Sequence, residues 1–124
     1  MKIKVSTPPE SWEQEQIFKW SSVQQITSPE LRYMISSLAG VRLSTGASIK
    51  AKRQGNKPGF PDIFLPVGNG VYHGLFIELK KRAGGTVSAD QKRWLKHLAS
   101  QNFRAVVCKG WQEAVAEIKK YLGI

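Results

Sequence analysis

The sequence predicts an α/β protein, a small mixed sheet flanked by helices in the order helix, helix, three strands, helix, strand, helix. Three observations predict it. "SADQKRWLKHLASQ" and "GWQEAVAEIKKYLG" repeat apolar side chains at helical spacing, and "FRAVVC" between them is a short apolar run. "DIFLPV" and "YHGLFIELK", about residues 62 to 67 and 72 to 80, flank the turn-forming Gly68-Asn69-Gly70 and read as a hairpin. A hairpin followed by a helical crossover to a further strand gives a mixed sheet.

The elements follow in chain order. "TPPESWEQEQIFKWSSV" starts with Thr7 as an N-cap, prolines at the first helical positions and Glu10 as the third, a capping box, so a first helix is expected over about 8 to 24. Ser28-Pro29-Glu30 is a second start signal, and "ELRYMISSLAG" reads as a short helix closed by Gly40. "VRLST" is expected to be the first strand, and 46–60, "GASIKAKRQGNKPGF", a basic loop with at most a helical turn. Ser88 with Gln91 three residues on is another capping box, heading a helix whose apolar stripe is Gln91, Trp94, Leu95 and Leu98. In the last helix Trp111, Ala114, Val115, Ile118 and Leu122 share a face.

With 124 residues and no linker or repeat, the chain is expected to form one domain over 1–124. No apolar run approaches the ~20 residues that span a bilayer, and the N-terminus lacks the apolar region of a secretory signal. A soluble cytoplasmic protein without membrane contact is expected. The single cysteine, Cys108, lies in an apolar strand and reads as a buried thiol, while His73 and His97 match no zinc pattern. "GNGVYHG" lacks the Lys-Ser/Thr ending of a phosphate-binding loop and implies no nucleotide cofactor. The net charge of +10, from 19 Lys and Arg against 9 Asp and Glu, points to a polyanionic partner, nucleic acid above all.

Three charged residues interrupt the hairpin: Asp62, Glu78 and Lys80. Alternation along a strand puts Glu78 and Lys80 on one face, with Leu75, Ile77 and Leu79 on the other. A register centred on Gly70 sets Asp62 opposite Glu78, at a Cβ separation of roughly 4.5–5.5 Å. Carboxylates so close repel unless a cation lies between them, and Mg²⁺ is held by one or two carboxylates while keeping waters. The ion would acidify such a water and stabilise charge developing on a phosphate, and Lys80 would hold the water or neutralise that charge. The bland alternative is a turn aspartate and a solvated Glu78–Lys80 pair.

Pro61-Asp62 with Glu78-Leu79-Lys80 sixteen positions after the aspartate resembles the PD-(D/E)XK nuclease motif. "KPGFPDIFLP", "YHGLFIELKK", "VSADQKRWL" and "AVVCKGWQEAVAEI" together resemble the VRR-NUC (virus-type replication-repair nuclease) branch over about residues 10 to 120. The resemblance implies a restriction-endonuclease-like core, with Asp62, Glu78 and the carbonyl of Leu79 as ligands of Mg²⁺ (or Mn²⁺) and Lys80 catalytic. It also implies an active-site role for Gln91, which competes with Gln91's place in the capping box. The family usually adds an acidic residue from the first helix, here Glu10, Glu13 or Glu15. Glu13 is chosen, because Glu10 has a capping role and Glu15 lies off the stripe of Gln16, Ile17 and Trp20.

The expected activity is a metal-dependent DNA endonuclease leaving 5′-phosphates, with Arg53, Lys57, Lys81 and Arg82 on backbone phosphate. Stand-alone members of the family resemble Holliday junction resolvases, which implies a homodimer acting on four-way junctions in a phage or mobile-element setting within a bacterial host cell. A flap-directed or restriction-like nuclease, and a non-catalytic basic DNA-binding module, are the alternatives.

Overall fold

The computed structural model describes residues 6–37 and 43–124. The hairpin and the helical crossover organise it. Strand β1 (Ile35–Ser36) pairs antiparallel with β2 (Ile63–Leu65), β2 pairs antiparallel with β3 (Leu75–Lys80), and β3 runs parallel to β4 (Arg104–Lys109). The sheet order is β1-β2-β3-β4. Helix α3 (Ala89–Ser100) makes the crossover from β3 to β4, and α1 (Glu10–Gln24) and α4 (Trp111–Leu122) begin and end the fold.

The strand parity read from the sequence divides the layers. Leu75, Ile77 and Leu79 join Ile63 and Leu65 against Ile17 of α1 and Ala114, Ile118 and Tyr121 of α4, all in one buried cluster. Each fully buried Ile or Leu contributes about 1.5–3 kcal/mol relative to exposure. On the opposite face Phe76 stacks on Phe64 with ring centroids 4.1 Å apart, and Phe60 links Phe76 edge-on to Trp94 of α3. Glu78 and Lys80 continue the Phe76 side along β3, so they emerge beside α3 where the aromatic packing ends.

Several expected elements differ. The second helix is only a 3₁₀ turn, Pro29–Tyr33, after which Met34 is extended and Ile35–Ser36 join the edge of β2. Pairing with that open edge overrides the local helical signal. Its expected end at Gly40 lies outside the described residues, as do Val41 and Arg42 of the expected strand "VRLST". The rest of that strand is not formed. Ser44 accepts the Ala47 N–H at 3.2 Å and caps helix α2 (Thr45–Arg53), which also converts the first half of the expected basic loop into a helix. The Thr7–Glu10 capping box is absent too: Pro9 is the N-cap, its carbonyl accepting from Trp12 and Glu13, with no side-chain cap. By contrast, the Ser88–Gln91 box has both of its hydrogen bonds.

No helix among the described residues is long and apolar enough to cross a membrane. Cys108 is buried, and removal from water pushes its thiol up to about 12, leaving it inert.

Candidate active site

The site forms where β2 starts and β3 ends. The observed register, Ile63 with Ile77 and Leu65 with Leu75, continued by one residue sets Asp62 across from Glu78. Both are buried, as is Lys80. The Asp62 carboxylate accepts the Leu79 N–H at 2.7 Å, an anchor that fixes its aim.

The pairing ends at Ile63, because the chain bends at Asp62 and is preceded there by Pro61. The Asp62 carbonyl accepts from Ser37 on the β1 side and the Lys80 carbonyl from Gly110 on the β4 side, so the Leu79 peptide between Glu78 and Lys80 is turned toward β2. Proline has no N–H to give the Leu79 carbonyl. Asp62 has meanwhile taken the Leu79 N–H. The Pro-Asp dipeptide thereby ends the ladder and leaves a backbone oxygen beside two carboxylates.

Glu78 has its two oxygens in different situations. Oε1 accepts from the Gln91 side-chain amide at 2.8 Å and lies 3.7 Å from Lys80 Nζ. Oε2 is fully buried and has no hydrogen-bond partner. The carboxylate of Asp62 is within hydrogen-bonding reach of Glu78, but two acceptors can bond only through a proton that one of them holds. Burial, and then the charge of Asp62, push Glu78 up to about 8, against the opposing pull of Lys80. Asp62 is also raised by burial, which the Leu79 N–H partly counteracts.

An orphaned buried carboxylate oxygen, a second carboxylate anchored beside it and a carbonyl without a ladder donor make an all-oxygen donor set suited to a hard divalent cation such as Mg²⁺ or Mn²⁺. The residues therefore fit such an ion. No three His, Cys, Asp or Glu side chains gather as a ligand cluster among the described residues, so water and backbone oxygen must complete any coordination shell.

Gln91 holds both of the roles that competed for it. Its side-chain oxygen accepts the Ser88 N–H at 2.8 Å, closing the capping box, while its nitrogen reaches Glu78. Gly59 makes this possible: at φ 85°, a Cβ there would fall 2.6 Å from the Asp90 carbonyl carbon and 2.7 Å from the Gln91 nitrogen. The glycine lets the chain entering β2 press against the first turn of α3.

The first-helix acids are arranged in a way the sequence did not indicate. Glu13 is completely buried, and Arg82 clamps it, Nε to Oε2 at 3.0 Å and Nη2 to Oε1 at 3.0 Å. The guanidinium also lies 5.5 Å from the centroid of the Trp12 ring. Glu13 and Arg82, read separately as an active-site acid and a phosphate contact, thus meet each other. Gly110 shares this junction, since a Cβ there would lie 3.0 Å from Arg82 Cγ and 3.1 Å from Glu13 Oε2. Among the first-helix acids, Glu10 adds a minor share to the raising of Glu78, well behind burial and Asp62. Glu10 was set aside for a capping bond that does not form. The basic residues Arg53, Lys57 and Lys81 are exposed, at the end of α2, before β2 and after β3.

The VRR-NUC domain family model matches residues 7–112. The chain is also similar to a solved structure described as a VRR_NUC domain protein, with 30% sequence identity, a TM-score of 0.82 and coverage of 96% of this chain and 92% of that one. No curated protein matches it. The match extends through every element that builds the paired carboxylates, and we conclude that the chain belongs to the VRR-NUC domain family, a membership that implies a phosphodiesterase of the PD-(D/E)XK nuclease type with DNA as substrate.

Proposed function

We propose that this protein is a divalent-metal-dependent endonuclease that hydrolyses DNA phosphodiester bonds, with Asp62, Glu78 and the Leu79 carbonyl as the residues that hold Mg²⁺ or Mn²⁺. The observation that carries this reading is the buried, donorless Glu78 Oε2 beside the anchored Asp62. A solvated surface pair would have no reason to desolvate two carboxylates together.

When bound, the ion supplies charge neutralisation at the phosphate and a more acidic water. Asp62 keeps its aim through the Leu79 N–H, and Gln91 holds Glu78 in place through Oε1. Lys80, buried on the same face as Glu78, donates from its ammonium to the attacking water or to a phosphate oxygen. Glu10 adds its negative charge to that of Asp62 at Glu78 and is proposed in place of Glu13 as the first-helix acid. Glu13 and Arg82 tie α1 to the segment after β3. Arg53, Lys57 and Lys81 bind backbone phosphate, which positions DNA without reading its sequence.

We further propose a homodimer that resolves four-way junctions. Support for association comes from Val23, Ile26, Tyr33 and Ile35, large apolar side chains exposed around the end of α1 and the edge strand β1. A two-fold dimer would present two sites to a two-fold symmetric substrate. Cleavage of end-labelled four-way junction, splayed arm and linear duplex with Mg²⁺, Mn²⁺ or EDTA tests both statements. Paired, symmetric nicks in the junction, lost in EDTA, are expected. Equal cutting of linear duplex would remove junction resolution and keep the nuclease; uncut strands under every metal would remove the nuclease.

A further inference from the structure

Beside the first turn of α3 lies a groove of about 450 Å³, lined by Lys57, Pro58, Asp90, Arg93, Trp94 and His97. Its volume falls within the ~300–1,000 Å³ range of small-molecule sites. The groove has a rigid wall. Trp94 Nε1–H donates to the Pro58 carbonyl at 3.1 Å, and its ring is packed edge-on against Phe60 at 5.1 Å and His97 at 6.3 Å. A flat ligand meeting these rings therefore costs little side-chain ordering.

The charges have a direction as well. Asp90 is matched by an ion pair with Arg93, which leaves Lys57 as the groove's excess charge. Proline and aromatic surface beside a surplus cation suits a base stacked on the wall with its phosphate outside. A free apolar ligand would leave the lysine unused.

The groove adjoins the carboxylate site. Asp90 lines the groove, its neighbour Gln91 holds Glu78, and Gly59 seats the Lys57–Phe60 segment on both. A strand with its phosphate near Glu78 can extend past the first turn of α3 to this groove. A base paired and stacked in a continuous duplex cannot enter.

We propose that the groove receives an unpaired nucleotide of the strand that carries the scissile phosphate, its base against Trp94, Pro58 and His97 and its phosphate on Lys57. This rests on the nuclease reading for the position of the scissile phosphate. It makes a strand that is unpaired, in a splayed arm or where bases part at a branch point, the preferred ligand, whatever its sequence.

The test separates binding from cleavage. The full chain carrying Asp62→Asn is titrated in EDTA against fluorescein-labelled splayed-arm and fully paired duplexes of equal length, with anisotropy as the readout. A base stacked on an aromatic wall predicts a preference of about 10-fold for the splayed arm. Adding Lys57→Ala and His97→Ala, both at exposed positions, should reduce that preference to within about 3-fold, with an unchanged circular dichroism spectrum. Equal affinity of the Asp62→Asn protein for the two ligands, or a preference that survives both changes, overturns the groove assignment. Either result stands apart from whether the wild type cuts DNA, so a failed groove and a failed nuclease are told apart.

Discussion

The side-chain amide of Gln91 joins two structures at once: its oxygen closes the helix cap at Ser88 and its nitrogen holds Glu78 Oε1 at 2.8 Å. Ser88 and Gln91 therefore separate cap from catalysis. Gln91→Ala should cost about 1 kcal/mol of stability, from the cap, and lower cleavage at least ~10-fold as Glu78 loses its guide. Ser88→Ala should cost a similar ~1 kcal/mol and leave cleavage within about 3-fold. Denaturant titration beside initial cleavage rates checks this, and equal rate losses in both variants would reduce Gln91 to a capping residue.

The buried carboxylates also set a pH dependence. Glu78 has an ordinary value of 4.5 and sits at about 8 in the fold, so the folded state holds its proton more tightly than the unfolded chain. The stability from this group is complete below about pH 4.5 and is lost as pH rises through about 8. In EDTA the thermal midpoint should fall between pH 5.5 and 8 by at least ~4 °C, and Glu78→Gln should flatten the fall while removing cleavage. Mg²⁺ should restore the wild-type midpoint at pH 8. A midpoint that rises with pH over this range would contradict the arrangement.

Glu13 and Arg82 predict a loss of stability. Arg82→Ala leaves a fully buried carboxylate without its guanidinium, at a cost of ~2–3 kcal/mol once the half-exposed arginine is allowed for. Glu10→Gln should change stability by less than ~0.5 kcal/mol and depress cleavage instead. Urea unfolding and cleavage rates for both variants check the division. Full activity in Glu10→Gln, with loss in a folded Glu13→Gln protein, would return the first-helix role to Glu13.

Pro61 has a backbone role that substitution can expose. Pro61→Ala adds a backbone N–H next to Asp62, a new donor within the site able to compete for the Leu79 carbonyl proposed as a metal ligand. The variant should fold and bind DNA as the wild type does, and require ~5-fold or more Mg²⁺ for half-maximal cleavage. An unchanged Mg²⁺ dependence would remove the Leu79 carbonyl from the ligand set.

What could be read from sequence follows from the range of the forces involved. The β2–β3 register was legible because the turn centre and strand parity fix it locally, so Asp62 and Glu78 were placed opposite before any fold was known. The Ser88 cap and the apolar faces of α3 and α4 were legible for the same reason. Tertiary pairing hid the rest. Ile35–Ser36 became a strand because β2 offered an edge, not because of their own neighbours. Glu13 met Arg82 across 69 positions, a pairing that no local pattern announces. A proline carbonyl replaced the expected Thr7 cap, and Glu10 was then misassigned to that cap.

The central claim is that Asp62 and Glu78 form a metal-dependent hydrolytic site, and the most direct measurement is cleavage of an end-labelled splayed-arm duplex across a Mg²⁺ titration by the wild type and by Asp62→Asn. The account predicts saturable, Mg²⁺-dependent cutting by the wild type, abolished by EDTA, and a loss of at least ~10²-fold in a folded Asp62→Asn protein that still binds the substrate. Undiminished cutting by Asp62→Asn, or wild-type cutting that EDTA leaves untouched, would contradict it.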